Sequence, residues 1–315
     1  MNNSILIHPD ELTRTWIDRL SSLGVATLGI HPRGGRWAEA SLQDLLLRLK
    51  TPDYRALLDY ASDRGLEIAY EFHAAATLLP RSLFESHPEY FRMDRSGNRV
   101  QNWNFCVSNE EALTIVADKA AGIARQLYRS GDRFYFWLDD GHDLSCHCPK
   151  CEGLSASDQE LLVLNAILRR IREDRPEAKL SYLAYFDTLA VPSAVRPEPG
   201  IFLEYAPMEK YVAKGEDREA KIKREFSMID PLLRFFGRAD SRVLEYWYDN
   251  SMYSNWTKPP KRFQADDRAV MRDVAFYREK GFSSVASFGC FLGPDYEALY
   301  GAPDLSAFAA ACRDA

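Results

Sequence analysis

The sequence predicts an α/β fold, a closed (β/α)8 TIM barrel. Eight apolar or aromatic runs of strand length recur along the 315 residues, most of them separated by segments with helical periodicity. The runs are continuous rather than alternating, as expected of parallel strands buried on both faces. Such alternation of strand and helix builds right-handed crossovers, and about 250 residues suffice for eight of them. One barrel domain over residues 1–315 is therefore expected. The alternative, a doubly wound sheet, normally carries a glycine-rich phosphate loop after its first strand, whereas HPRGGRW at 31–37 lacks the G-x-G-x-x-G spacing.

The first strand is SILIHP, 4–9, followed by a helix over 10–24 with Asp10 as its cap and Leu12, Trp16, Ile17 and Leu20 as its apolar stripe. VATLGIHP, 25–32, is the second strand, then come helices at about 41–49 and at 51–65, the latter stopped by Gly65. LEIAYEFHA, 66–74, is the third strand. A long connection follows, an extended loop region at about 74–108 that contains the turn signal DRSGNR. A helix over 109–131 leads into the fourth strand, DRFYFWLDD, 132–140, and then a cysteine-containing loop at 141–154. After a helix at about 156–173 come the fifth strand at 178–187 and the sixth at 200–207. A charged helical region precedes the seventh strand, SRVLEYWYDN, 241–250, and a last helix at 265–281 precedes the eighth at 282–290.

Composition narrows the function classes. Against 40 basic side chains stand 46 acidic ones, a formal net charge of -6, which disfavours a nucleic-acid surface because phosphate binding needs a basic patch. No stretch approaches about 18 uninterrupted apolar residues, so no membrane span is expected. The start MNNSILIHPDELTR lacks the basic and apolar regions of a signal peptide, so a cytoplasmic location is expected. EYWYDNSMYSNW, 245–256, clusters aromatic rings with polar groups and suits a sugar-binding wall, that is, a carbohydrate or glycan substrate. Nothing in the sequence speaks to oligomeric state.

Barrel enzymes work at the C-terminal ends of their strands. Those positions hold His8, then His31 with Arg33, then Glu71 and His73, which share one face by the period of two. They continue with Asp139 and Asp140, Tyr185 and Asp187, Glu204 and Tyr205. The seventh strand supplies Glu245, Trp247, Tyr248, Asp249 and Asn250, and Trp103 from the long loop joins the substrate-binding candidates. Asp139 and Asp140 are the leading catalytic candidates: two adjacent carboxylates oppose each other's ionisation, so one can keep a proton to donate to a glycosidic oxygen. Glu204 or Glu245 would supply a partner carboxylate in a two-acid mechanism. His8, His31 and His73, on neighbouring strands, leave a metal-dependent hydrolase open, and an aromatic pocket without chemistry would make a glycan-binding barrel.

Catalysis of this kind requires no cofactor. The cysteines pose a separate question. Cys146, Cys148 and Cys151 form C-x-C-x-x-C, three soft ligands where tetrahedral zinc takes four. Cys106, His142 or His147 could complete the set, which would be a structural Zn2+ site, while a disulfide or free thiols are the alternatives.

LDDGHDLSCHCPKCEG, 138–153, followed by LNAILRRIREDRPEAKLSYLAY, 164–185, resembles the domain of unknown function 4838 family, which is related to glycoside hydrolase barrels; HPEYF at 87–91 and NFCVSNEEA at 104–112 resemble that wider group, where such stretches precede the catalytic strand. The resemblance runs from about residue 5 to residue 290 and implies a glycoside-hydrolase-like barrel. The acid pair ending strand four is similar to that of family 20 and family 84 hexosaminidases. That likeness implies Asp140 as general acid/base, with Asp139 orienting a 2-acetamido group that serves as nucleophile. Tyr185, Trp247 or Tyr248 would complete such a site. The broad layout is also similar to α-glucuronidase barrels, which implies an acidic sugar met by Arg33 and His73.

Overall fold

The computed structural model describes residues 1–313. Eight parallel strands close on themselves in chain order: β1 (Asn2–Ile7), β2 (Thr27–Ile30), β3 (Glu67–His73), β4 (Arg133–Trp137), β5 (Lys179–Ala184), β6 (Ile201–Tyr205), β7 (Arg242–Glu245) and β8 (Ser284–Phe288), with β8 pairing back onto β1. The (β/α)8 expectation is met, and all eight strands fall within or beside the anticipated runs.

Alternation along each strand sorts the core into two shells. Leu6, Ala69, Tyr135, Trp137, Leu183, Phe202, Leu244, Ala286 and Phe288 pack together inside the barrel. Their strand neighbours, among them Ile5, Phe72, Phe136, Tyr205 and Val243, face the surrounding helices. Gly29 sits on the inner face, where a Cβ would stand 2.7 Å from Leu6 Cγ, so glycine is what lets β2 approach β1's side chain.

The first helix departs from expectation. Pro9–Glu11 form a 3-10 turn and the α-helix begins at Arg14, capped by Thr13 through its hydroxyl rather than by Asp10. Glu11 folds back inside and accepts hydrogen bonds from the His8 and Phe291 amides. The long excursion between β3 and the helix Glu110–Ala124 holds short helical turns and two antiparallel bridges, Phe91 to Phe105 and Met93 to Arg99, closed by the anticipated turn with Gly97 at φ 84°. Two helices beyond β8, Pro294–Tyr300 and Ser306–Arg313, had no counterpart in the sequence reading; the second packs on the helix Asp267–Lys280. Among the described residues no helix is long and apolar enough to cross a membrane.

Candidate active site

A cavity of about 490 Å³ opens at the C-terminal mouth of the barrel, within the usual size range of small-ligand sites. Its floor is Trp137, whose ring lies 5.5 Å from that of His31 and 5.3 Å from that of His73. The indole N–H points down and donates to Glu204 at 2.8 Å. Leu183, Leu244 and Phe288 complete the apolar base, and Trp37 and Trp256 stand at the rim, 50% and 63% exposed.

Three histidines on adjacent strands share one arrangement. His8 Nδ1 meets the His31 carbonyl at 2.8 Å, His31 Nδ1 the Glu71 carbonyl at 2.7 Å, and His73 Nδ1 the Leu138 carbonyl at 2.5 Å. A carbonyl only accepts, so each Nδ1 carries the hydrogen and each Nε2 of a neutral ring is an acceptor. Burial keeps His8 and His31 neutral, the former pulled down to about 4. His8 and His31 therefore offer fixed Nε2 acceptors of the kind that sugar hydroxyls require, and the Leu138 carbonyl fixes the His73 ring beside them.

Two carboxylates line this cavity. Asp140, just beyond β4, accepts a hydrogen bond from the Tyr185 hydroxyl. Asp249, beyond β7, caps the short helix Asn250–Tyr253: its Oδ1 accepts from Ser251 N at 3.0 Å, Ser251 Oγ at 2.5 Å and Met252 N at 3.2 Å. Burial raises its pKa. Tyr246, between them in the wall, stacks on Phe288. Asp139 turns the other way. Its carboxylate lies 3.4 Å from Arg81 and its amide donates to Asn104 at 2.9 Å, in a recess of about 50 Å³ beside the cavity. Burial raises the pKa of Asp139 too, against the opposing pull of Arg81.

A family model, the domain of unknown function DUF4838, matches residues 49–229, more than half of the sequence. The chain belongs to the DUF4838 family. No curated protein matches it. Among solved structures this DUF4838 barrel is similar to the β-galactosidase from Rahnella sp. R3, with a TM-score of 0.58 and 11% identity over 91% of this chain and 50% of that one. It is similar to endo-glycoceramidase II from Rhodococcus sp., with a TM-score of 0.56 and 12% identity over 98% and 77%. It is also similar to Cel5A of Thermotoga maritima, with a TM-score of 0.54 and 13% identity over 98% and 96%. The chain thus spans about half the length of the Rahnella enzyme. At these identities the likeness is one of fold.

Of the anticipated site residues, the DUF4838 barrel brings His31, Arg33, His73, Asp140 and Tyr185 to one cavity. Others stand elsewhere. Glu71 and Glu204 have the right facing but lie one layer too deep: both are fully buried around Arg242, at 2.8 Å and 3.6 Å, beneath the floor. Glu245, Tyr205 and Trp247 have the wrong facing. Glu245 is held outside the barrel by Lys210, Tyr211 and Tyr277 at 2.6, 2.5 and 2.6 Å. Tyr205 packs towards Phe282, and Trp247 and Tyr248 both pack on Phe308. Asn250 is a structural tie to the Lys261 and Phe291 carbonyls. Asp187 accepts from His142 and from the Asp143 amide, away from the cavity. The Trp103 carbonyl receives Arg81, and the residue has φ 64°.

Asp249 was among the anticipated strand-end groups, whereas Tyr246, inside the anticipated aromatic run, was not singled out although the period of two, continued from Arg242 and Leu244, points to it. Trp37 ends the 3-10 turn Gly35–Trp37 and Phe291 sits on a loop, where no period of two applies; Trp256, the last residue of the anticipated aromatic run, and Phe291 hold left-handed φ of 54° and 64°. Such strained positions concentrate where loops shape a site.

Proposed function

We propose that this protein is a glycoside hydrolase with Asp140 as the proton donor to the glycosidic oxygen. The observation that carries the reading is the placement of the Asp140 carboxyl, oriented by Tyr185, in an aromatic-rimmed cavity at the mouth of the barrel. In the protonated state Asp140 hands its proton to the leaving oxygen as the bond from that oxygen to the anomeric carbon breaks, and the carboxylate so formed takes a proton from the water whose oxygen bonds to that carbon. The histidine acceptors and the rims of Trp37 and Trp256 hold the ring. The fold likeness to glycosidases supports a carbohydrate substrate.

The geometry favours a two-carboxylate mechanism over assistance by a substrate acetamido group. Asp139, the residue that would orient the acetamido, is engaged with Arg81 outside the cavity, whereas Asp249 shares the cavity with Asp140. A specific observation also favours an acidic sugar. Arg33 and Arg36 line the cavity and lie against Phe291 and Trp37, and neither has an ion-pair partner among the described residues. A uronic-acid carboxylate would supply one. The thiol cluster takes no part in bond breaking.

The test is hydrolysis of nitrophenyl glycosides of neutral, N-acetylated and uronic sugars in both anomeric forms. Turnover of a uronic substrate supports the reading in full. Glycan binding, seen as quenching of tryptophan fluorescence, without hydrolysis of any substrate would replace it with a non-catalytic binding barrel.

A further inference from the structure

The buried sulfurs of Cys106, Cys146, Cys148 and Cys151 all lie within 4.8 Å of one another. Cys106 Sγ is 3.6 Å from Cys148 Sγ and 3.9 Å from Cys151 Sγ. Four bonds of about 2.3 Å to the corners of a tetrahedron place sulfurs about 3.8 Å apart, so the cluster has the dimensions of a zinc tetrathiolate. The surrounding donors fit thiolate rather than thiol. The Met93 amide points at Cys146 Sγ from 3.3 Å, the Ser108 hydroxyl lies 3.1 Å from Cys151 Sγ, and the Arg99 guanidinium lies 3.8 Å from Cys146 Sγ. N–H and O–H groups aimed at ligand sulfurs, with a cation beside them, offset the double negative charge of such a centre. The two nearby histidines are spoken for: His147 meets Asp143 at 2.9 Å and His142 meets Asp187 at 3.0 Å.

We propose that Cys106, Cys146, Cys148 and Cys151 bind one structural zinc ion that fastens the loop following Asp140 to the excursion following β3. Three ligands come from the 141–154 loop and the fourth from the far end of that excursion. As Zn2+ enters, the four thiols release four protons to solvent and four Zn–S bonds form. The cross-link lies between the segments that set the acid pair. On one side are Arg81 and Asn104, which hold Asp139. On the other, Gln159 clamps the loop to the helix Ala156–Arg172 by accepting from Cys146 N at 2.8 Å and donating to Cys146 O at 2.9 Å. The ion is a positioning device for Asp139 and Asp140 and touches no substrate.

The experiment is metal analysis of the purified full chain, followed by titration of the native protein with a mercurial reagent in the presence of a zinc-indicator dye. The expected result is about one zinc per chain, released in step with modification of four thiols. Cys312→Ser, at a cysteine far from the cluster, retains the metal; Cys148→Ser loses it. Because Cys148→Ser is liable to misfold, the mercurial titration of the unaltered chain stands as the deciding measurement. Chelator-treated protein is expected to be cleaved faster within 141–154 by a dilute protease. Native chain with less than about 0.1 zinc, with iron in its place, or with the four sulfurs in disulfides overturns the proposal. No part of the readout is turnover, so its failure and the failure of the glycosidase reading are separate events.

Discussion

Replacing Arg242 by Met would remove the cation that lies between two fully buried carboxylates. Arg242 Nη2 meets both oxygens of Glu71, at 2.8 and 3.0 Å, and its Nε lies 3.6 Å from Glu204 Oε1. Met fills similar volume, so the penalty is electrostatic. Breaking a buried ion pair from one side costs about 3–5 kcal/mol, because the remaining charge has neither partner nor water. Unfolding entropy of about 2.1 cal/mol/K per residue comes to about 0.66 kcal/mol/K for a chain of 315 residues, so Tm should fall by about 5–8 °C. The assay is scanning calorimetry at pH 7. Adding Glu71→Gln to the Arg242→Met chain removes one of the stranded charges and should recover about half of the loss. The penalty should shrink towards pH 5, where the stranded carboxyls take up protons more cheaply. A Tm within about 2 °C of the parent, or no recovery on adding Glu71→Gln, would refute the assignment of this layer as an ion-paired triad.

Three further outcomes are expected. Burial raises Glu160 to about 8 and Glu11 and Glu225 to about 7, above the ordinary 4.5. The folded chain then binds more protons than the unfolded one, so the stability these groups confer is full at low pH and lost as pH rises through 7 and 8. His8 and His31, depressed by burial, act in the opposite sense but only below about 6.5, so Tm should fall between about pH 6.5 and 8.5; a rise over that interval contradicts these assignments. Arg33→Gln should raise KM for a uronic substrate about tenfold or more and leave that for a neutral sugar nearly unchanged, as steady-state kinetics on both will show. Asp249→Asn should lower kcat by about 10²-fold or more with KM little changed, and equal turnover in parent and variant would remove Asp249 as the second carboxylate.

The barrel was legible because burial on both faces imposes continuous apolar strands, and eight of these with intervening helices leave few topologies. The terminal helices were not, since Pro294–Tyr300 and Ser306–Arg313 follow a completed set of strands and are short. At the site, strand-end position alone selected too broadly. His31, His73, Asp140 and Tyr185 were found because strand ends hold them in the inner shell. Glu245 and Trp247 were chosen from a chemically rich run, although the step of two from Leu244 puts them outside and Tyr246 inside. Glu71 and Glu204 face inwards, and only depth along the barrel axis separates a buried triad from a catalytic acid. That depth depends on the stagger between strands, set by pairings such as Glu204 with Arg242, which no single strand encodes. Asp139 and Asp140 are adjacent, so one had to turn away; Arg81, 58 positions earlier, takes Asp139.

The measurement that bears most directly on the central claim is kcat for Asp140→Asn on the best glycoside of the panel, with circular dichroism and Tm recorded beside it. Asn keeps the shape and can still receive the Tyr185 hydroxyl, yet has no proton to give to the leaving oxygen. The expected result is a loss of about 10²–10⁴-fold with the fold intact. Turnover within about threefold of the parent would contradict the role of Asp140 as the acid.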